Sequence, residues 1–342
     1  DAAGSVEGIR RWSYDGTELP VVDDELAVAQ ITTRDIDRGD FPHFLLKEIT
    51  DAPSSFRKTL RGKLIETDGR FSVALSTETV PTAVREALRS GSIRRVLVIG
   101  QGTAAIAGQS LALALADLTA ETELRVEALP ATELSGFRLR ADMSDSLVVA
   151  ISQSGTTTDT NRTVDLVRGR GASVIAIVNR RNSDLCDKSD GVLYTSDGRD
   201  VEMSVASTKA FYAQIAAGLL LASALADAVS GAVRSDSPDQ QRLLSALREL
   251  PDRMIDVTAR REAIAEAAAQ FAPSRRYWAI VGNGSNQIAA REIRIKLSEL
   301  CYKSIACDGP EDTQHIALPW APTTPVRAAG PAGPTADGAA QQ

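Results

Sequence analysis

"LVVAISQSGTTTDTNRTVDLVR", residues 147–168, passes from an aliphatic run into a short stretch where Ser152, Ser154, Thr156, Thr157 and Thr158 surround Gly155. The run at 147–151 lacks strict alternation, as expected of a strand buried on both faces of a parallel sheet. The pattern from 159 to 170 predicts an amphipathic helix. A parallel strand ending at Ser152 would deliver the hydroxyls to the carboxyl edge of the sheet. Open α/β folds bind ligands at that edge, and the next helix turns its first amides toward it. Hydroxyls of Ser152, Ser154 and Thr157 can donate to phosphate oxygens, and Gly155 lets the backbone approach closely. The same residues also fit an ordinary strand-to-helix turn whose Ser and Thr only cap the helix.

Outward from this stretch the texture repeats. "RRVLVIG" (94–100), "LRVEAL" (124–129), "SVIAIV" (173–178) and "GVLYT" (191–195) join 145–152 as short aliphatic strands. Helical patterns at 104–118 and 159–170 lie between them, and one at 207–228 follows. Alternating strands and helices predict an α/β fold with a doubly wound parallel sheet over 76–230. Residues 1–75 read as linker and helical lead-in, polar at first, then helical through "FLLKEITDAPSSFRKTL" with a break expected at Pro53. Helices near 237–250 and 253–271 form a connector over 231–272. "RRVLVIGQGTAAIA" at 94–107 is then echoed by "RRYWAIVGNGSNQIA" at 275–289, the same strand, Gly-x-Gly-hydroxyl turn and helix. A second, similar domain is expected to start at 273 and to stop incomplete at 318. Residues 319–342 are expected to be disordered, since Pro, Ala and Gly supply 15 of those 24 residues.

Bulk properties narrow the function. The chain has 342 residues and a formal net charge of -7, and its pI is near 5.1. That balance argues against nucleic acid or an anionic membrane as the main partner. Three cysteines without paired spacing point to a reducing compartment, read as the cytoplasm. Two histidines make a metal centre unexpected, and no cofactor is expected. The first residue is Asp rather than Met, so the sequence is read as a piece of something longer.

"VEMSVASTKAF", 201–211, again sets Ser207 and Thr208 at the start of an apolar helix. Val205 and the backbone near Ala206 could line a sugar, with Ser207 donating to it. The alternative is a plain helix cap with Lys209 in solvent. Gly100-Gln101-Gly102-Thr103 offers a third glycine-hydroxyl turn in the same relative place.

Ser-Gln-Ser-Gly-Thr-Thr at 152–157 followed by Val-Ala-Ser-Thr-Lys-Ala-Phe at 205–211 resembles the sugar-isomerase (SIS) domain, specifically the isomerase half of the glutamine:fructose-6-phosphate aminotransferases, or glucosamine-6-phosphate synthases. The likeness runs from about His43 to about His315. It implies a flavodoxin-like SIS domain followed by a truncated second one, and a hexose 6-phosphate substrate in a homodimer or higher oligomer. By that resemblance Ser152, Gln153, Ser154 and Thr157 hold the phosphate, Thr103 lies nearby, and Val205 and Ser207 meet the sugar. Where the family usually has Ser after Gly-Thr, this chain has Ala104.

In "AAREIRIKLSELCYKSIACDGPEDTQHI", 289–316, Glu292, Lys296 and Glu299 share one helix face, which by itself also fits a surface ion-pair ladder. Ketose–aldose isomerisation needs a carboxylate to move a proton between C1 and C2, with a cation near the developing enediol oxygen. The resemblance gives these tasks to Glu299 and Lys296. It gives sugar-ring opening to His315, acting in the site of a neighbouring subunit; His43 is read separately as structural. It also implies an N-terminal Cys nucleophile for glutamine hydrolysis and a Lys near the C-terminus that forms a Schiff base. Neither has a counterpart here, the last lysine being Lys303, so impaired turnover is expected of this chain alone. The competing readings are a non-catalytic SIS-type sugar-phosphate module and, more weakly, a dinucleotide site built on Gly100, Gly102, Ala105 and Glu127.

Overall fold

A computed structural model of the chain describes residues 8–22, 36–234 and 236–309 and the backbone of 326–329. The elements run β1 (Arg11–Trp12), β2 (Glu18–Leu19), α1 (Phe44–Leu60), β3 (Leu64–Thr67), β4 (Arg70–Val73), α2 (Thr82–Arg89), β5 (Arg95–Gly100), α3 (Thr103–Leu118) and β6 (Arg125–Pro130). They continue with α4 (Ala131–Glu133), β7 (Ser146–Ser152), α5 (Thr158–Arg168), β8 (Ser173–Val178), α6 (Asp184–Asp187), β9 (Gly191–Tyr194) and α7 (Lys209–Ser230). The last are α8 (Pro238–Thr258), α9 (Arg261–Phe271), β10 (Trp278–Gly282), α10 (Ser285–Cys301), β11 (Ile305–Asp308) and β12 (Val326–Ala329).

Five strands form one parallel sheet in the order β6-β5-β7-β8-β9. The chain leaves β5 in one direction and β7 in the other, so the order reverses between them and their carboxyl ends open a crevice. Both faces are covered, which is why the strands lack alternation. Val96, Val98, Leu147, Val149, Ile151, Ile175 and Ile177 pack on one side with Leu111, Leu115, Leu221 and Leu225 of α3 and α7. Leu97, Ile99, Val148, Ala150, Val174 and Ala176 face the other side with Val164 and Val167 of α5. The long apolar helix α7 has the length and hydropathy of a membrane span, yet most of it is buried within the protein, with Leu220, Leu221, Ala222 and Leu225 inaccessible. It is the central helix of the fold.

A third apolar cluster joins α1, α7 and α8 through Phe56, Leu60, Ala216, Leu220, Leu244 and Leu247. Here the expected break at Pro53 is corrected: α1 runs unbroken from Phe44 to Leu60 with Pro53 inside it. An interior proline costs roughly 3 kcal/mol. Ala52, Pro53, Phe56 and Leu60 are all buried, and burying one large side chain contributes roughly 1.5–3 kcal/mol, so packing outweighs the lost hydrogen bond. The same holds at Pro251, which lies buried within α8. The two connector helices therefore part at residues 259–260 rather than at 250–253. The β3–β4 hairpin was not foreseen in the lead-in, although its turn carries the Asp-Gly signal, with Asp68 at φ 51° and Gly69 at φ 74°.

The repeat is structural. Gly102, which caps α3, has φ 54° and ψ -127°, and Gly284, which caps α10, has φ 52° and ψ -133°. A side chain at either would meet no atom within 4 Å, so it is the backbone angle that calls for glycine. The sheet order β11-β10-β12 matches β6-β5-β7, with both pairings parallel. Val326–Ala329 thus forms a strand inside the stretch expected to be disordered; most of that stretch lies outside the described residues.

Candidate active site

Ser152 ends β7 at the reversal of strand order and is buried. The loop after it is held by its own hydroxyls. Gly155 N donates to Ser152 Oγ at 3.0 Å, and Ser152 Oγ lies 3.1 Å from Thr157 Oγ1. Thr156 donates to Ser154 Oγ from its amide at 3.2 Å and from its hydroxyl at 2.9 Å. From below, Asn161 Nδ2 donates to Gly155 O at 3.0 Å and Leu185 N to the same oxygen at 3.1 Å. Gln153 O accepts from Asn179 N at 3.2 Å, tying the loop to the end of β8. Gly155 has φ 68°, and a Cβ there would fall 2.0 Å from Ser183 Oγ and 2.5 Å from Ser183 Cβ.

Thr157 precedes α5 and makes no side-chain capping bond, and Asp159 lies in the first turn of the helix. The hydroxyls bond one another and the amides of Gly155 and Thr156 rather than the first amides of α5. A group carrying negative charge is the natural occupant of such an end.

The loop at 200–208 is built differently. Glu202 reaches the N-terminus of α7, where its Oε1 accepts from Thr208 N at 2.6 Å, Thr208 Oγ1 at 3.1 Å and Ala210 N at 3.2 Å, while its Oε2 accepts from Ser207 Oγ at 2.9 Å. This helix end is filled from within. Burial raises the Glu202 pKa, opposed by those hydrogen bonds and reinforced by the charge of Glu48. Glu48, on α1 and 1% exposed, holds the next part of the loop. Its Oε1 accepts from Met203 N at 2.5 Å, and its Oε2 accepts from Ser204 Oγ. Lys209, expected in solvent under the capping alternative, is 4% exposed and pairs with Asp200 at 2.6 Å, which also accepts from Ser55 Oγ.

Of the two residues that the resemblance places on a sugar, Ser207 donates its hydroxyl hydrogen to Glu202 at 2.9 Å, and Val205 is fully exposed.

The third turn couples the two units. Thr103 Oγ1 donates to Glu292 Oε1 at 3.1 Å, which anchors α10 on the first residue of α3. Arg291 Nη1 donates to Gln109 Oε1, further along α3, at 2.9 Å. Lys296 Nζ lies 3.5 Å from Glu292 Oε1 and 2.8 Å from Glu299 Oε2. This is more than a surface ladder, because Glu292 is 5% exposed and its Oε2 has no hydrogen-bond partner. Burial pushes the Glu292 carboxyl above the usual range, opposed by Lys296 and Thr103. Tyr212, in the first turn of α7, is raised by burial and by the Glu292 charge. The start of α3 and the face of α10 thus meet at one carboxylate.

His43 caps α1, its Nδ1 accepting from Leu46 N at 3.1 Å. His315 lies outside the described residues. Glu127, placed at a strand end by the dinucleotide reading, sits in the middle of β6 facing Arg138 at 3.5 Å, so the acid expected on a ribose is not at the sheet edge. Glu202 and Glu48 were missed by the sequence reading: no local spacing links Glu48 to residue 204, and Glu202 lies outside the usual reach of a capping box.

Residues 92–224 match the SIS domain family. The chain is 35% identical over 271 residues to a glutamine–fructose-6-phosphate aminotransferase (isomerizing) of Symbiobacterium thermophilum, covering 78% of this chain and 41% of that protein. It is 36% identical over 309 residues to the like-named protein of Mycobacterium leprae, covering 87% of this chain and 44% of that one. The chain therefore spans less than half the length of either relative. In fold it is similar to the C-terminal domain of glucosamine-fructose-6-phosphate aminotransferase from Francisella tularensis, with a TM-score of 0.73, 23% identity, and coverage of 85% of this chain and 77% of that one. The chain thus carries an SIS domain at residues 92–224 and, over most of its length, is similar to one part of the glutamine–fructose-6-phosphate aminotransferases.

Proposed function

We propose that this chain is the isomerase portion of a glucosamine-6-phosphate synthase and that it binds a hexose 6-phosphate at the switch point of its sheet. The observation that carries this reading is the N-terminus of α5, without a side-chain cap, beneath a loop of mutually bonded hydroxyls. Ser154 and Thr157, with the first amides of α5, would donate to the phosphate. Ser152 and Gln153 would hold the loop in shape. Neutral donors suit a substrate that must leave again, because a lysine or arginine clamp would bind a dianion more tightly than turnover needs.

For the chemistry, Glu299 would carry the proton between C1 and C2 of the sugar, with Lys296, 2.8 Å from it, offsetting charge on the developing enediol oxygen. Ammonia derived from glutamine in a longer protein would supply the nitrogen of glucosamine 6-phosphate. His315 would open the sugar ring across a subunit boundary, which requires at least a dimer.

Calorimetric titration with fructose 6-phosphate tests the binding. Hydrogen bonds to a charged group contribute roughly 1.5–3 kcal/mol each, so Ser154→Ala combined with Thr157→Ala should weaken binding at least about tenfold. Unchanged affinity in a folded double variant would overturn the reading. Because impaired turnover is expected of this chain alone, exchange is followed in a version extended at its C-terminus: deuterium entering C1 of fructose 6-phosphate from heavy water, lost in Glu299→Gln with binding kept, separates an enzyme from a sugar-phosphate sensor.

A further inference from the structure

We infer that the cavity between α1, the loops that follow β8 and β9, and the start of α7 is a second anion site, which takes a phosphorylated small molecule carrying at least two negative charges. It is separate from the proposed hexose 6-phosphate site, since no residue of the 152–157 loop lines it.

The chain as a whole is acidic, with a formal net charge of -7. Yet five cationic side chains and only three carboxylates line this cavity, whose volume of about 580 Å³ suits a small metabolite. Two of the carboxylates are already committed: Asp51 pairs with Lys47 at 2.5 Å and Asp200 with Lys209 at 2.6 Å. That sets Lys58, Arg181 and Arg199, from three different segments, against Asp197 alone. None of these three cations forms an ion pair among the described residues. The crowding is felt next door. Burial holds the Lys63 ammonium below its usual range; Asp197 opposes this, and Arg181 and Arg61 add to it.

The site is built rather than merely charged. The Arg181 guanidinium lies over the Tyr194 ring, 4.5 Å from its centroid, and its Nε donates to Asp197 O at 2.9 Å. Its two Nη groups remain for a ligand, and a guanidinium can engage two phosphate oxygens at once. Ser196 also lines the cavity; it is 3% exposed and its Oγ has no hydrogen-bond partner. A buried hydroxyl left unpaired is destabilising, and a phosphate oxygen would supply the missing acceptor. Ser196 and Asp197 have φ of 44° and 62°, a left-handed conformation that L-residues hold only where their surroundings impose it. Here Ser196 N donates to Thr59 Oγ1 at 3.0 Å, and Arg181 N donates to Gly198 O at 3.1 Å. These bonds tie the loop to α1 and to the segment after β8, the same segments that supply Lys58 and Arg181.

The test is calorimetric titration with inorganic pyrophosphate. It is done in the Ser154→Ala, Thr157→Ala chain, so that the α5 loop does not contribute. That chain should bind one equivalent. Adding Lys58→Gln and Arg199→Gln, both at exposed positions, should weaken binding at least about tenfold, the loss expected when charge-assisted hydrogen bonds are removed. Adding Ser196→Ala instead should weaken it at least about threefold without lowering the melting temperature, because the hydroxyl removed has no partner in the free protein. No binding of pyrophosphate would overturn the inference. So would affinity untouched by the two glutamines, or affinity untouched by Ser196→Ala, which would leave the anion on the surface outside this cavity. In the chain with Ser154 and Thr157 intact, Lys58→Gln with Arg199→Gln should leave fructose 6-phosphate affinity within about twofold. The two sites are thus read by different ligands and different variants, and either can fail alone.

Discussion

Replacing Gly155 by alanine tests the loop geometry on which the phosphate site depends. Two costs add. The residue has φ 68°, a left-handed conformation that costs an L-residue about 1–2 kcal/mol. The new methyl would also fall 2.0 Å from Ser183 Oγ and 2.5 Å from Ser183 Cβ. Rotation of the hydroxyl relieves the first contact but not the second, because Cβ moves only with the backbone of a buried residue. Overpacking of this kind costs about 1–3 kcal/mol. Gly155→Ala should therefore lose about 2–5 kcal/mol of stability by urea denaturation, within the 5–15 kcal/mol typical of a whole domain, so much of it stays folded. Adding Ser183→Gly removes the obstructing atoms and should recover at least about 1 kcal/mol while the backbone term stays. A single variant that loses less than about 1 kcal/mol, or a double variant no more stable than the single, would refute the reasoning.

Two further outcomes follow from buried charge. Lys209→Met strands Asp200, whose side chain is 12% exposed, and should cost about 3–5 kcal/mol; Lys209→Met with Asp200→Leu should recover much of it, as read by thermal unfolding. Burial raises the Glu292 pKa in the folded state, so the folded chain holds that proton more tightly than the unfolded chain does. The resulting stability is complete below the unfolded pKa and is lost as pH rises through the raised one. Urea midpoints of the wild type should therefore fall between mildly acidic and neutral pH relative to those of Glu292→Gln; parallel profiles would contradict this.

The two hydroxyl loops show why parts of the site were legible and parts were not. In sequence the stretches 152–157 and 205–208 look alike, each a cluster of Ser and Thr opening a helix. They differ in whether a side chain caps the helix end, and that depends on Glu202 folding back and on Glu48 arriving from a helix more than 150 residues away in the chain. No local pattern carries a contact of that range. The same limit explains Pro53 and Pro251: a proline signals a break by removing a donor, and only the apolar cluster joining α1, α7 and α8 reveals that the helices persist.

The sequence by itself determined the parallel α/β sheet, the internal repeat and the glycine-hydroxyl turns, because strand burial on both faces and glycine at positive φ leave marks within a few neighbouring residues. Tertiary structure alone decided that α5 has no side-chain cap while α7 is capped from within, that Lys209 is buried, and that Thr103 seats Glu292 on the first unit. These outcomes turn on burial and pairing between distant segments, and the free energy of a charge or a hydroxyl is set by those surroundings rather than by its neighbours in the chain.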